Sequence, residues 1–204
     1  MIKFFVFFGN LLGFIFPTKL LENIIIIFDL LRTGWLKTSL KSLGDGTVLR
    51  KNVKIIGGQQ IIIGKHCVIQ SQSILSTWGD NNSPLKAKLI INDNVIIGEG
   101  CHLTAINSIV IGQGTLLGKN ITITDNSHGL IIADEADVLP TKRKLYSKGP
   151  VAVGNKVWIG DKVTILPGVT IGNSSIIGAN SVVTKDIPPR SVVVGNPAKV
   201  IKCY

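Results

Sequence analysis

Apolar residues recur every six positions along most of the chain, and a glycine often follows them. Units of this kind open at Ile91, Ile97, Ile111 and Leu117, and the longest unbroken run is six units over residues 153–188. A helix would place apolar residues three and four positions apart, and a half-buried strand would alternate them with polar ones. The six-residue period instead predicts a β-solenoid, in which each unit is a short strand followed by a corner.

Two places within each unit, the first and the fifth, are predicted to point into the solenoid. The first place holds Ile, Leu or Val, and in the last run the fifth holds a small residue, namely Val163, Val169, Ser175 and Ser181. Glycine or asparagine in the unit is expected to form the tight corner, where φ is positive. Stacked coils would then bury one continuous aliphatic column.

Residues 1–45 lack this period and are predicted to form an apolar helical segment. They begin MIKFFVFFGNLLGFIF, and a second apolar run, residues 23–31, follows Pro17. The first run lacks the small residues of a signal-peptide cleavage site, and each run is shorter than the ~20 residues of a spanning helix. We therefore expect two helices that lie either on a membrane surface or on the body of the protein itself.

The solenoid is predicted to cover residues 46–188, with breaks at residues 76–88 and 129–148, and residues 189–204 would form a C-terminal extension. An excursion of about twenty residues inside a compact repeat is usually functional or a packing arm. His128 comes directly before the longer break, which makes it the first candidate for chemistry.

The segment Asp125-Asn126-Ser127-His128-Gly129 holds the candidate catalytic residues. A neutral imidazole is suited to take a proton at neutral pH, so His128 could serve as a general base, whereas the plain alternative is a surface histidine at the start of a loop. Asp125 could orient the imidazole ring, or it could simply accept hydrogen bonds from the amides of a turn. Both alternatives stay open for Asp125.

Composition and charge agree with an aliphatic solenoid that has an anionic partner. Of the 204 residues 45% are hydrophobic but only 6% are aromatic, and the net charge is +10. Such a charge suits nucleic acid, a membrane surface or a phosphorylated small molecule. The three cysteines have no CxxC spacing, which argues against a disulfide framework and a zinc site and favours packed thiols in a reducing compartment. His66, His102 and His128 fall at different places in their units, so no metal site is expected.

Residues 50 to 202 resemble the hexapeptide-repeat acyltransferases, a family that includes galactoside, maltose and serine acetyltransferases and the sugar O-acetyltransferases of polysaccharide assembly. The likeness is strongest over residues 149–202, from GPVAVGNKVWIGDK to VVVGNPAKVIK. The resemblance implies a left-handed parallel β-helix with three units per coil, a homotrimer, and acetyl-coenzyme A (acetyl-CoA) as the acyl donor. It also implies that His128 is the general base for direct transfer to an acceptor hydroxyl.

The same resemblance implies a set of residues for the donor. Asp161 stands where the galactoside enzymes carry a serine, and Lys199 and Lys202 stand where they carry arginines, which keeps the charge but loses the bidentate fork. The implied cofactor-binding residues are Trp158, Asp161, Ala179, Thr184, Lys185, Lys199 and Lys202. If residues 123–128 stack over residues 103–108, then Asn107 and Ser108 would lie below Ser127 and His128, and the predicted acceptor-binding residues are Asn107, Ser108 and Asn126.

The segments DNSHG and KLYSKGPV, together with the apolar N-terminal part, are most similar to acetyltransferases of O-antigen, capsule or exopolysaccharide synthesis. We therefore predict a cytoplasmic enzyme, placed at the inner face of the membrane if its first residues bind there, that acetylates a hydroxyl of a free or lipid-linked sugar. A serine or amino-sugar acetyltransferase on the same scaffold and a non-catalytic solenoid remain alternatives. Nucleic acid is not an expected partner because no binding motif is present, and a zinc carbonic anhydrase of the same fold would need convergent histidines.

Overall fold

The computed structural model describes residues 1–15, 17–79, 87–130 and 132–204. Part of the predicted break at 76–88 therefore lies outside the described residues. Two helices, α1 (Ile2–Ile15) and α2 (Thr18–Lys37), precede the strands, and a one-turn helix, α3 (Ala133–Ala136), lies in the excursion. The predicted helical segment at the N-terminus is thus confirmed, whereas the predicted domain boundaries stay predictions.

The strands are two to six residues long. In chain order they are β1 (Ser42–Leu43), β2 (Val48–Leu49), β3 (Lys54–Ile56), β4 (Ile61–Ile63), β5 (Val68–Ile69), β6 (Ile74–Thr77), β7 (Lys88–Ile91), β8 (Ile96–Ile97), β9 (His102–Ala105), β10 (Ser108–Ile111), β11 (Leu116–Leu117), β12 (Thr122–Thr124), β13 (Ser127–His128), β14 (Leu145–Tyr146), β15 (Val151–Val153), β16 (Trp158–Ile159), β17 (Thr164–Ile165), β18 (Thr170–Ile171), β19 (Ile176–Ile177), β20 (Val182–Val183), β21 (Ser191–Gly195) and β22 (Ala198–Cys203).

These strands form the three faces of a left-handed parallel β-helix, as predicted. Sheet A is β1-β4-β7-β10-β15-β18, sheet B is β2-β5-β8-β11-β16-β19-β21-β22, and sheet C is β3-β6-β9-β12-β17-β20. Neighbouring strands in each sheet are parallel, except that β22 returns antiparallel to β21. The pair β13–β14 is also antiparallel and lies outside the three sheets.

The interior is the aliphatic column that the six-residue period predicts. First-place residues such as Ile97, Ile111 and Ile159 have no exposed surface, and the fifth-place residues Val163 and Ser181 are equally buried. Cys67 and Cys101 also occupy fifth places and are buried. Burial raises the pKa of the Cys67 thiol and raises that of Cys101 to about 11, so both behave as small packed residues.

The second-place glycines have a different role from the predicted one. Positive φ occurs at the fourth place of the unit, where Asn94 and Asn120 stand, and not at the second-place Gly98 and Gly112. A Cβ built on Gly98 would meet the carbonyl oxygen of Gly118 in the next coil, and one on Gly112 would meet that of Gly154. The expectation is therefore confirmed for asparagine and wrong for these glycines, which are needed because adjacent coils approach so closely.

Third-place Asp and Asn side chains join successive coils at their corners. Asp93 Oδ1 accepts a hydrogen bond from the Lys65 amide at 2.7 Å, and Asn155 Oδ1 accepts one from the Gln113 amide at 2.8 Å. Each bond satisfies an amide that the sheet ladder leaves free at the turn. This ladder of caps matters for the site, because Asp161 belongs to it.

Candidate functional site

The site begins where the regular stacking ends. Strand β12 lies over β9 in register, with Ile123 opposite Leu103 and Thr124 opposite Thr104. The predicted stacking of these two segments is therefore confirmed as far as Thr124. Beyond it the chain leaves the coil for the excursion.

Asp125, the first residue after the strand, is fully buried and accepts four hydrogen bonds. Its carboxylate receives the amides of Ile106, Asn107 and Ser108 at 2.7–2.9 Å and the Asn126 Nδ2 amide at 3.1 Å. Between the described residues, no hydrogen bond joins Asp125 to His128. The sequence left two roles open for Asp125, namely orienting the imidazole ring or accepting hydrogen bonds from the amides of a turn. The observed contacts correspond to the second role.

His128 lies on β13, which pairs antiparallel with β14 at the two ends of the excursion. Ser127 stands opposite Tyr146, and His128 stands opposite Leu145. The prediction that Ser127 and His128 stack over Asn107 and Ser108 is therefore wrong, because the excursion redirects the chain after Asp125.

The two predicted acceptor residues at the lower level are nevertheless held close to the excursion. Asn107 is half-buried, and its side chain donates to Ser147 Oγ at 3.5 Å. Ser108 is buried and stands opposite Lys88 in sheet A. Asn107 is thus joined by a side-chain hydrogen bond to Ser147, which directly follows β14.

An open groove of about 460 Å³ surrounds His128, whose side chain is exposed. Its walls come from the histidine strand and the excursion, and they include Gly129, Leu130 and Arg143. Arg143 Nε donates to the Val138 carbonyl at 2.9 Å, so this cation holds the excursion together. The groove therefore contains the His128 imidazole beside an excursion whose two ends are joined by hydrogen bonds.

A second groove, of about 630 Å³, adjoins the same strand. It shares Ser127, Gly129 and Leu130 with the first groove. Its other lining residues are Thr124, Asn126, Tyr146, Lys148, Leu166, Pro167 and Thr184. The structure thus brings together two predicted residues, Asn126 and Thr184, that are far apart in sequence.

Sequence reasoning missed several lining residues of this groove, including Tyr146 and Lys148, and also Ser147, whose hydroxyl oxygen accepts the hydrogen bond from Asn107. The available signal was their place in the segment KLYSK, where the excursion returns to the repeat. A returning segment must pair with the departing one to close a loop, but its register against Ser127 and His128 follows from the excursion's fold and not from any local pattern.

The other predicted donor residues lie elsewhere on the chain. Trp158 points outward from sheet B and is 53% exposed. Asp161 and Ala179 occupy successive levels of the corner between sheets B and C, while Lys199 and Lys202 are exposed on β22, at the edge of sheet B. We call these five residues the tryptophan face.

Apart from Asn107 and Ser108, the remaining predicted residues form the histidine corner, which comprises Asp125, Asn126, His128, Thr184 and Lys185. Thr184 and Lys185 follow β20, so they belong to the corner after sheet C. The structure therefore divides the predicted site into two sets on different parts of one chain. Asp161 has a further difference from the prediction, because its Oδ1 caps the Lys119 amide at 2.8 Å.

The other two histidines are separate from this corner. His102 is half-buried on sheet C, and its burial lowers the pKa of the imidazole. His66 lies at a corner with φ of 55°. Within residues 1–15, 17–79, 87–130 and 132–204, no three His, Cys, Asp or Glu side chains are grouped closely enough to hold a metal ion.

Comparison with known proteins agrees with the architecture. Residues 150–185 match the family model described as bacterial transferase hexapeptide (six repeats). These residues thus carry the hexapeptide repeat that the model describes. This match covers the same regular coils that carry Trp158, Asp161, Ala179 and Thr184.

Two curated proteins of Escherichia coli (strain K12) resemble this chain. WbbJ, described as a lipopolysaccharide biosynthesis O-acetyl transferase, is 40% identical over 120 residues, which are 57% of this chain and 61% of WbbJ. Galactoside O-acetyltransferase is 41% identical over 120 residues, which are 53% of this chain and 54% of that protein. The chain thus matches less than two thirds of the length of either relative.

Solved structures share the fold at low sequence identity. A variant of AntD, an N-acyltransferase from Bacillus cereus, bound to an amino-sugar nucleotide and coenzyme A, superposes with a TM-score of 0.69 and 21% identity over 84% of this chain and 88% of that chain. A hexapeptide-repeat acetyltransferase from Vibrio cholerae, bound to acetyl-CoA, has a TM-score of 0.55 and 24% identity over 84% and 75% of the two chains.

Proposed function

We propose that this protein is an acetyl-CoA-dependent O-acetyltransferase that modifies a sugar hydroxyl with His128 as general base. The observation that carries the proposal is the position of His128. Its exposed imidazole lines one groove, and a second groove adjoins the same strand, on the stretch that leads from the β-helix into the excursion. The strand therefore offers room for two substrates beside the imidazole.

The proposed reaction is a direct transfer. His128 accepts the proton of the acceptor hydroxyl while its oxygen attacks the thioester carbonyl carbon, which forms the new C–O bond. The tetrahedral intermediate collapses with cleavage of the C–S bond, and the proton passes from the imidazolium to the departing sulfur of coenzyme A. General-base catalysis of this kind typically raises the reaction rate by a factor of about 10²–10⁴.

The proposed donor site is shared between copies of the chain in a homotrimer. The histidine corner and the tryptophan face lie on different parts of one chain, so a neighbouring copy would bring its tryptophan face to the histidine corner of the first. The outward side of sheet B supports such packing, because Ile96, Leu116 and Trp158 form an exposed apolar column on adjacent strands. Exposed apolar columns of this kind are typical of interaction surfaces.

Within that site, we assign the phosphates of acetyl-CoA to Lys185, Lys199 and Lys202 and the wall of the pantetheine slot to Trp158. The lysines are exposed cations, and an ammonium group binds phosphate as a point charge. Ala179 would contribute its backbone, whereas the Asp161 side chain is left with its corner cap and only its backbone is free to contribute.

The proposed acceptor is a sugar of surface-polysaccharide synthesis, either free or carried on a lipid. The support is the likeness to WbbJ and to galactoside O-acetyltransferase, both described as O-acetyl transferases. Asn107 and Asn126 are the amides we assign to acceptor binding, since both lie beside the excursion. The protein would work in the cytoplasm, at the inner face of the membrane where a lipid-linked acceptor is found.

The first test replaces His128 with alanine and measures coenzyme A release with acetyl-CoA and a panel of sugars and amino sugars. We expect kcat to fall by about 10²–10⁴, because the hydroxyl loses its proton acceptor. His102→Gln is the matched control, and it should keep wild-type turnover. Full activity of His128→Ala would refute the mechanism. An absence of turnover with every acceptor would favour a non-catalytic solenoid, and transfer only to amines would favour an N-acetyltransferase.

A further inference from the structure

Helix α2 contacts the first coil mainly through polar side chains. Asp29 and Thr33 are buried there. The Asp29 carboxylate forms an ion pair with Arg50 at 3.1 Å, and the Leu49 amide donates to Thr33 Oγ1 at 2.9 Å. A surface helix of a globular protein usually turns its apolar side to the core. In α2 the polar side packs against the first coil, so the opposite side of the helix faces away from the β-helix.

That opposite side is an apolar stripe. Its members follow one another four, three, four and four positions apart, which places them on one face of the helix. They are Leu20, Ile24, Ile27, Leu31 and Trp35, all exposed, with Leu31 67% and Trp35 72% exposed. We call these residues the outer stripe of α2.

Helix α1 is apolar on all its sides. Its sequence, IKFFVFFGNLLGFI, has Lys3 as its one charged residue. Every side chain described for it is exposed, including those of Phe4, Phe7 and Leu11. A helix that is hydrophobic all round requires a partner or a membrane to cover it.

Neither helix is suited to cross a bilayer by itself. Among the described residues, no single helix is both long and apolar enough for a membrane span, although α1 and α2 taken together as a bent pair pass the test of length and composition. A helix of α1's length reaches about 21 Å, whereas the hydrocarbon core is about 30 Å thick. Burial within one leaflet suits these dimensions.

A basic groove of about 470 Å³ lies where α2 meets sheet C. Arg32 and Lys54 supply cations to it, and Asn52 and Gln72 supply amides. Arg32 Nη2 donates to the Val53 carbonyl at 2.6 Å, while Arg32 Nε is buried with no hydrogen-bond partner in the described part of the chain. Such an arrangement of donors suits a phosphate oxygen.

The charge of this end of the chain matches an anionic surface. Residues 1–60 contain eight Lys and Arg against three Asp and Glu. One of those acids, Asp29, is already paired with Arg50, and the other two are Glu22 and Asp45. An anionic bilayer therefore satisfies both the uncovered apolar surface and the excess positive charge, whereas a second copy of the chain would bring like charges together.

We propose that α1 and the outer stripe of α2 bury in the interface of an anionic phospholipid bilayer, and that the groove of Arg32 and Lys54 holds a phospholipid headgroup phosphate. The polar contacts of Asp29 and Thr33 set the orientation, since they turn the stripe away from the β-helix. The inference deepens the membrane placement proposed above and does not depend on the acyl-transfer chemistry.

The test is flotation of the full chain with phosphatidylcholine vesicles, with and without phosphatidylglycerol. We expect the wild type to float with both and more strongly with the anionic vesicles. Ile24→Asp combined with Leu31→Asp should abolish flotation, since both residues are exposed on the outer stripe. Lys54→Glu should lower partition onto anionic vesicles about tenfold. Lys156→Glu, an equally exposed lysine four coils away, is the matched control and should change it less than about twofold.

A second readout uses Trp35. In a Trp78→Phe, Trp158→Phe background its fluorescence should be quenched by brominated lipid chains, because the outer stripe would lie at their depth. Wild-type flotation by the Ile24→Asp, Leu31→Asp chain would refute the apolar contact. Equal effects of Lys54→Glu and Lys156→Glu, or loss of anionic preference on adding inorganic phosphate alone, would refute the headgroup site.

Flotation and turnover test the membrane contact and the proposed enzymatic activity independently, so either proposal can be refuted without the other. A chain that fails to float, and whose oligomer falls apart on Ile24→Asp and Leu31→Asp, would assign the stripe to a second copy and overturn the membrane proposal. Turnover of a soluble acceptor by the Ile24→Asp, Leu31→Asp chain and by the Lys54→Glu and Lys156→Glu chains should remain at the wild-type level. Flotation without any turnover would refute the proposed acetyltransferase activity and would still support the membrane contact.

Discussion

Asp125 is a buried carboxylate whose oxygens are occupied by donors from the turn beneath it. Three consecutive amides, of Ile106, Asn107 and Ser108, point at this one side chain. Hydrogen bonds to a charged acceptor contribute about 1.5–3 kcal/mol. Asp125 therefore acts as a positioning residue: it ties the last regular coil to the point where the chain departs toward His128.

Replacing Asp125 with asparagine tests this role. The new NH₂ group would face amides that are themselves donors, so we expect the free energy of unfolding to fall by about 1.5–3 kcal/mol and kcat to fall with it. The acidic limb of the pH–rate profile should stay where it is in the wild type, because no hydrogen bond joins Asp125 to the imidazole in the described part of the chain. A displaced limb would instead make Asp125 the direct partner of His128. Asp134→Asn, an exposed carboxylate in the excursion, is the control and should leave both measurements unchanged.

At the scale of the repeat unit, each place has a separate physical constraint. The first and fifth places must fill the column, the fourth must allow positive φ, and the second must leave room for the next coil. Asn94 and Asn120 satisfy the fourth-place constraint without glycine. Gly112 has no such substitute, because its missing Cβ is where the Gly154 backbone lies.

Two neighbouring glycines separate these constraints. Gly112→Ala would force adjacent coils apart, so we expect it to destabilise the protein by about 1–3 kcal/mol or more. Gly114 has φ of 68°, and a Cβ built on it would make an ordinary van der Waals contact, at 3.7 Å, with the Lys156 side chain, so Gly114→Asn should cost no more than about 0.5 kcal/mol. Denaturant unfolding of both variants measures the difference. The reverse order of stabilities would show that the second place is limited by φ and not by stacking.

These constraints explain how far the sequence could predict the structure. The period was sufficient for the solenoid, its inward column and the stacking of Ile123 on Leu103, because each of these repeats and depends only on neighbouring units. The excursion does not repeat. The pairing of His128 with Leu145, and the approach of the Asp125 carboxylate to the 106–108 turn, depend on tertiary contacts that no local pattern encodes.

At the scale of the whole molecule, the two sets of predicted site residues lie on different parts of one chain. His128 and Thr184 belong to the corner after sheet C, whereas Trp158 and Lys199 belong to sheet B. In the proposed trimer, another copy would bring its tryptophan face to this histidine corner through the exposed column of Ile96, Leu116 and Trp158. Assembly and chemistry would then be linked, because an isolated copy has both sets of residues but does not bring them together.

Mixed assemblies test this link directly. Copies with His128→Ala keep an intact tryptophan face, and copies with Trp158→Ala keep an intact histidine corner, so each variant alone should be nearly inactive. If the two halves meet across copies, random mixing in a trimer pairs an intact histidine corner with an intact tryptophan face at about a quarter of the sites. Co-refolding the two variants should therefore restore activity, and light scattering should give the mass of three chains.

A mixture of His128→Ala with His128→Gln is the control, because no copy in it has the base. Activity of the first mixture no greater than the mean of its components, or a monomeric mass with full activity, would place the whole site within one chain.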